Sequence, residues 1–381
     1  MRSTDLAVLA CLACFASLAS AEDFRYPEAT SGAGELRYVG GVPVAVLKGT
    51  PEEIGTQFGH LVLKPSIALV RAMPKYLASA KLTAAPIKMA FNGKKLIESF
   101  PASYLAEIDA AAKVSGVSRN DLIFVNTLAD VSKVGGCSTL IAEGDRSATG
   151  RPIFGRNLDW PPYESLPSYT LIVVTHAKGR RACAMVTLPV VFGCISGIND
   201  AGLCLTLNEI TATRDGSSGF DPEGVPMLPL YRETLEKCGS VAEAIAYLKA
   251  AKRTTYACVT LCDSKGGCVL EITPKSIEVR RGERSVVCCT NHFRTEPLSV
   301  TKTCERYSIL EKIQKAEGKL GVADIFKGLD AVNQGEATMQ SMVFEPTELR
   351  VHLAFGIEAS KKKLEAVELK DVLTGGWGKK K

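Results

Sequence analysis

Val134-Gly135-Gly136-Cys137-Ser138-Thr139-Leu140, followed by Gly155-Arg156-Asn157-Leu158-Asp159-Trp160, is the stretch on which the reading of this chain turns. Before it the sequence has helical periodicity. After it come short runs rich in Val, Ile, Leu and Thr, separated by turns. The glycine pair lets the backbone make a tight, exposed approach to Cys137. Residues 138–142 read as the start of a buried strand, so a thiol stands at the head of a core strand. Arg156 and Asp159 arrive on the next strand-like segment, placed to lower the thiol pKa and steer a proton. A lone cysteine at a strand start is more often a small buried apolar side chain. The rest of the sequence shifts the balance toward a nucleophile.

Upstream, residues 22–38 are polar and irregular, and 40–49 predict an edge strand followed by a turn. Thr50-Pro51-Glu52-Glu53 is a helix start, with a Thr cap, Pro in the first turn and Glu three residues on. Helical spacing continues to about Ala90 with breaks at Pro65, Pro74 and Pro86, and further helices are expected over 104–114 and 118–130. Downstream, strands are expected over 138–142, 152–157, 169–176, 182–188, 193–196, 203–208, 257–263, 268–273, 276–280 and 285–290, with a final hairpin at 341–345 and 349–354. Helices intervene at 228–238, 240–250, 303–316 and 322–332, Ser240 and Glu243 forming a capping box. Alternating blocks of helices and strands predict an α+β fold with antiparallel sheets and segregated helices.

Met1-Arg2, an apolar run from Leu6 to Ala16 and the small residues Ala19-Ser20-Ala21 form a secretory signal peptide, residues 1–21. The mature protein is therefore expected to be secreted or periplasmic, with no stable membrane insertion, since no later run is long and apolar enough to span a bilayer. Thirteen cysteines less Cys11 and Cys14 leave eleven, an odd number that implies at least one free thiol. The four histidines are scattered and no Cys-x-x-Cys pair occurs after residue 21, which disfavours zinc. Net charge is +5, with positives dispersed apart from Lys361-Lys362-Lys363 and Lys379-Lys380-Lys381, a pattern of solvated ends rather than of nucleic-acid binding.

No Gly-x-Ser-x-Gly elbow, phosphate-binding loop, dinucleotide fingerprint or His-Glu-x-x-His is present. Polar residues instead end apolar strands: Asn199 in Gly197-Ile198-Asn199-Asp200-Ala201-Gly202-Leu203, Asn208 and Asn291, with Arg306 in Cys304-Glu305-Arg306-Tyr307. An Asn side chain can donate to a developing oxyanion. Singly, each has a local explanation as a turn Asn, a strand-end Asn or a solvated helix Arg.

In their order, these blocks resemble the N-terminal-nucleophile hydrolases with a cysteine nucleophile, closest to the acyl-coenzyme A:6-aminopenicillanate acyltransferase family. Choloylglycine hydrolases and acid-ceramidase-like amidases are more distant relatives. The resemblance spans about 50–355. It implies a four-layer αββα sandwich and self-cleavage between Gly136 and Cys137. The freed α-amino group would then serve as base for its own thiol, without a catalytic His or any cofactor. It divides the mature chain into a helical segment, 22–136, retained as a subunit, and a catalytic core, 137–381. By resemblance, Arg156 and Asp159 flank the nucleophile, Asn199 and Asn291 serve the oxyanion and substrate, and Arg306 orders the site. Asn208 and Trp160 are substrate-binding candidates. Ser138 replaces the Thr usual after the cysteine, and an export signal argues against an acyl-coenzyme A substrate. The expected activity is hydrolysis of a non-peptide linear amide of a small molecule, such as an N-acyl amine or N-acyl amino acid. The alternatives are transfer of the acyl group to an amine, and a non-catalytic binding protein with a degenerate site.

Overall fold

A computed structural model describes residues 24–79, 94–161, 165–300 and 303–377. The expected signal peptide and the break at Pro86 lie outside these residues. The chain begins with β1 (Ala29–Ser31), β2 (Gly34–Val39) and β3 (Val42–Gly49). Then come α1 (Pro51–Phe58), a π-helical turn (Gly59–Leu63), α2 (Ile67–Ser79), α3 (Lys94–Glu98), α4 (Ala102–Ser115) and α5 (Arg119–Val131). The quoted stretch enters β4 (Gly136–Ala142) and β5 (Ile153–Asp159), followed by β6 (Leu171–Ala177), β7 (Cys183–Thr187), β8 (Ser196–Asn199) and β9 (Cys204–Glu209). Helices α6 (Met227–Lys237) and α7 (Val241–Ala250) precede β10 (Ala257–Asp263), β11 (Gly266–Ile272), β12 (Ile277–Arg280) and β13 (Val286–Cys289). The chain continues through α8 (Glu305–Lys315), α9 (Val322–Asp330), β14 (Thr338–Glu345), β15 (Arg350–Phe355), β16 (Glu365–Glu368) and α10 (Lys370–Leu373).

The strands form a ten-stranded sheet, β1-β2-β3-β6-β7-β8-β9-β10-β11-β12, and a six-stranded sheet, β13-β4-β5-β14-β15-β16. Only the β3–β6 pair is parallel among the described pairs. Strand side chains alternate between faces, and the cores follow that period of two. Val44, Ile172 and Cys258 of the larger sheet meet Ile141, Phe154 and Met342 of the smaller in one apolar layer. The other face of the larger sheet, through Leu47, Val173 and Leu205, packs on Ile54, Ile108, Ile123 and Leu228 of the helices. The other face of the smaller sheet, through Leu140, Ile153 and Val343, packs on Leu310 of α8 and Ile325 of α9. The result is the expected αββα order. Among the described residues no helix is long and apolar enough to cross a membrane.

Several local expectations need correction. The segment read as irregular contains β1 and β2, and β3 is an interior strand between β2 and β6 rather than an edge. Gly40 and Gly41, both with positive φ, form the two-residue turn between β2 and β3 and are not part of a strand. The strand expected over 193–196 starts at Ser196 and runs on to Asn199. At the start of α7, Ser240 Oγ accepts from Glu243 N, but the Glu243 carboxylate takes the N–H of Gly239, one residue beyond the cap. All eleven cysteines from Cys137 onward are free thiols, ten of them buried. Cys288 and Cys289 face opposite sides of β13, as their adjacency requires.

Candidate active site

Cys137 is the second residue of β4 and pairs with Leu158 of β5, so both side chains share one face. That face, at the end of the smaller sheet, meets Leu69 and Tyr76 of α2, Leu166, Tyr169 and Met339. The thiol is buried, and burial pushes its pKa up to about 11, partly opposed by the Arg156 charge. At neutral pH it is therefore a protonated thiol. The glycine pair does not adopt positive φ. Its value lies in the missing side chains. A Cβ on Gly135 would stand 3.1 Å from the Trp160 ring and 3.2 Å from Glu209, and one on Gly136 would stand 1.9 Å from Gln334 Nε2.

The backbone of Cys137 is held from both sides. Its N–H donates to Asn291 Oδ1 at 2.8 Å, and its carbonyl accepts from Arg306 Nη1 at 2.7 Å. Arg306 Nη2 also donates to Asn291 Oδ1 at 2.9 Å, and Asn291 Nδ2 donates to the Glu209 carbonyl at 2.8 Å. These partners fix the orientation of the Asn291 amide, because Oδ1 receives two donors and Nδ2 faces a carbonyl. Asn291 follows β13 and Arg306 opens α8, so the pairing of β13 with β4 is what delivers both to the cysteine.

Arg156 is buried, donating from Nε to Ser196 Oγ at 2.6 Å and from Nη1 to the Leu207 carbonyl at 3.2 Å. Its Nη2 has no hydrogen-bond partner among the described residues. Asp159 accepts from Thr338 Oγ1 at 2.6 Å and from Gln334 Nε2 at 2.7 Å, with Arg306 Nη1 at 3.9 Å. Asn157, on the opposite face to Arg156, donates to the Leu329 carbonyl of α9. Trp160 donates through Nε1 to the Tyr76 hydroxyl and walls the pocket.

Two expected site residues are placed differently. Asn199 lies away from this cluster. Its Nδ2 donates to the Leu235 and Cys238 carbonyls and its Oδ1 accepts from Ala201 N and Leu203 N, so its hydrogen bonds are spent on ending α6 and shaping a turn. Asn208 faces the gap between the sheets, donating to the Thr290 carbonyl, and supports the Asn291 segment rather than lining the pocket. Sequence reading missed Glu209 altogether. Its carboxylate accepts the Gly135 N–H at 2.8 Å, and burial pushes its pKa up to about 7, with Lys133 opposing. A carboxyl ending the apolar run Leu203-Cys204-Leu205-Thr206-Leu207 was the available signal.

Beside the thiol lies an apolar cavity of about 80 Å³, bounded by Leu128, Trp160, Val190, Ile195, Leu228 and Met339 among others, with Arg156 and Glu209 as its charged members. A thiol, two cations, two carboxyl groups and a fixed amide thus converge at the mouth of an apolar pocket, an arrangement that suits covalent attack on a carbonyl carrying an apolar group.

Among solved structures, the chain is similar to an N-acylethanolamine-hydrolyzing acid amidase ortholog of Caenorhabditis elegans, at 17% identity and TM-score 0.44, over 55% of this chain and 93% of that one. It is similar to a variant of the conjugated bile acid hydrolase of Clostridium perfringens at 14% identity and TM-score 0.46, over 62% and 93%. For penicillin V acylase of Agrobacterium tumefaciens the values are 13% and 0.40, over 58% and 83%. All three scores lie below one half, too low to carry the fold by themselves. No curated protein sequence matches. The profile of the acyl-coenzyme A:6-aminopenicillanic acid acyl-transferase family matches residues 146–357, beginning just past Cys137 and covering more than half of the sequence. The chain belongs to this family of enzymes.

Proposed function

We propose that the protein is an exported amidohydrolase that cuts itself between Gly136 and Cys137, then hydrolyses a non-peptide linear amide through a thioester on Cys137. The observation that carries this reading is the double hold on Cys137, whose N–H is accepted by Asn291 and whose carbonyl is bound by Arg306, with the thiol at an apolar pocket.

In processing, Sγ adds to the Gly136 carbonyl carbon and the thiol proton passes to the Cys137 nitrogen as the C–N bond breaks. Water then cleaves the thioester, leaving a Gly136 carboxylate, a free thiol and a new α-amino group. In turnover that amine, titrating near ~8 when unperturbed, takes the thiol proton. The thiolate adds to the substrate carbonyl and the protonated amine product leaves. Water returns the thiol by hydrolysing the acyl-enzyme. Asn291 stands against the nitrogen that becomes the base, and Arg156 brings positive charge to the thiol. With Asn199 engaged elsewhere, the second hydrogen of Asn291 Nδ2 and the unpartnered Arg156 Nη2 are side-chain donors available to an oxyanion. The apolar walls favour an apolar acyl group. Passing that group to an amine would use the same thioester, but an exported enzyme is separated from coenzyme A thioesters, which favours water as acceptor.

Intact mass and N-terminal sequencing of purified protein, with turnover of a panel of N-acyl amines, bile-salt conjugates and penicillins, test the reading. Two fragments, the larger beginning at Cys137, and release of a free acid from one of these amides are expected. A single active chain that retains Gly136–Cys137 would refute self-cleavage.

A further inference from the structure

Gln334 is absent from the residues that the sequence singles out, yet its side chain packs over Gly136, on the acyl side of the peptide bond to be cut. The chain leaves α9 at Asp330, turns through 331–337 and enters β14 at Thr338. Thr338 Oγ1 accepts the Gln334 N–H at 2.8 Å and donates to Asp159 Oδ1 at 2.6 Å. The Gln334 carboxamide closes the ring, donating from Nε2 to Asp159 Oδ2 at 2.7 Å. Both oxygens of a buried carboxylate are thereby fixed by one short loop. The register of β14 against β5 shifts between Thr338 and Gln340, a bulge that sets Thr338 opposite Asp159. Asp159 in turn is the cross-strand partner of Gly136.

The same Nε2 that binds Asp159 lies 1.9 Å from the place a Cβ on residue 136 would take, with the Gln334 Cδ at 3.0 Å and the Asp159 Cβ at 3.2 Å. Any side chain at 136 must push the amide away, and an amide pushed away loses its bond to Asp159. The identity of residue 136 and the pose of the Asp159 carboxylate are mechanically linked through one side chain.

We infer that Gln334 is a positioning residue for self-cleavage: its carboxamide, packed over Gly136, holds the Asp159 carboxylate beside the Gly136–Cys137 peptide, and a side chain at 136 would displace it. This rests on the self-cleavage reading above. Gln334 takes no proton and forms no bond to the reacting atoms; it acts through Asp159.

The test follows cleavage of full chains made by cell-free synthesis, sampled on timed denaturing gels, with circular dichroism on the purified products. Gln334→Ala is expected to slow cleavage roughly tenfold or more, the effect of one hydrogen bond to a charged group. Gln334→Glu sets a carboxylate against a carboxylate and slows it at neutral pH. Its rate should recover as pH falls, once one of the pair holds a proton and can donate, a dependence that a merely structural side chain would not produce. Gly136→Ala should be slow, and in Gly136→Ala/Gln334→Ala the loss should be smaller than the product of the two single losses, because the collision is gone. If the wild type cuts itself while both Gln334 variants cut at its rate, or if the losses at 136 and 334 simply multiply, the inference is overturned. If Gln334→Ala fails to fold, the pH profile of Gln334→Glu decides. A wild-type chain that never cuts overturns the underlying reading as well, a result distinct from either of the others.

Discussion

Cys137 is held by its backbone, so the residues that grip its peptide units should matter as much as those near its sulfur. Cys137→Ala should give a single uncut chain without turnover, and Cys137→Ser slow cutting, since a hydroxyl is the weaker nucleophile. Arg306→Lys cannot reach both the Cys137 carbonyl and Asn291 Oδ1, because a point charge replaces a planar fork. A loss on the order of 100-fold in kcat with unchanged circular dichroism is expected. Asn157→Ala should behave oppositely, costing roughly 1–2 kcal/mol of stability in denaturant titration with turnover retained, since its amide serves the Leu329 carbonyl on the far face. Glu209 has a pH signature. Burial holds its carboxyl at about 7 against an ordinary 4.5. The folded chain then keeps a proton that the unfolded chain has released, so stability falls as pH rises through that window. Glu209→Gln keeps an acceptor for Gly135 and cannot ionise, so its Tm should vary less across the window than that of the wild type. Asp130, pushed up to about 6 by burial, leaves some slope in both. These assignments also mark what the sequence could and could not disclose. Cys137, Arg156, Asp159, Asn291 and Arg306 were legible and converge. Asn199 was misread because an Asn that shapes a turn and an Asn that serves a site look alike locally, and only the carbonyls of α6 tell them apart. Gln334 left no trace, because its importance lies in a collision with a residue nearly two hundred positions away.

At the scale of elements, strand parity governs. Arg156 and Leu158 turn toward the pocket side, while Asn157 and Asp159 share the other parity, so Asp159 acts at the end of β5 against Gly136. The interior strands were visible as apolar runs. β2 was not, because at the rim of the sheet it buries little beyond Gly34 and Leu36 and keeps Arg37 exposed. The helices before Gly136 are tied to those after it by charge. Arg232 of α6 binds Glu107 of α4 through Nη1 and Nη2 at 2.7 and 2.8 Å, and Glu236 through Nε at 2.7 Å, all three buried. Removing one member leaves a buried charge under-compensated. Glu107→Ala should therefore weaken the hold of 24–136 on the core by about 3–5 kcal/mol, read as a lower denaturant midpoint for fragment separation.

For the whole molecule the telling feature is the seam in the larger sheet. β1, β2 and β3 precede Gly136, and β3 joins the rest through its parallel ladder with β6, Val44 opposite Ile172 through Gly49 opposite Ala177. The proposed cut at Gly136 would leave that ladder untouched, so one sheet would be shared by two polypeptides. Before the cut, folding is a first-order event whose half-time ignores how much protein is present. After it, the two pieces must first meet, and regaining the native state becomes a second-order reaction. Unfolded and diluted at a series of concentrations, Cys137→Ala chains should refold at one rate, while processed protein should refold in proportion to its concentration and fail when dilute. Processing at Gly136 would in this sense be a clock that runs once: it would convert a chain that can find its shape alone into a pair that keeps its shape only while the partners stay together.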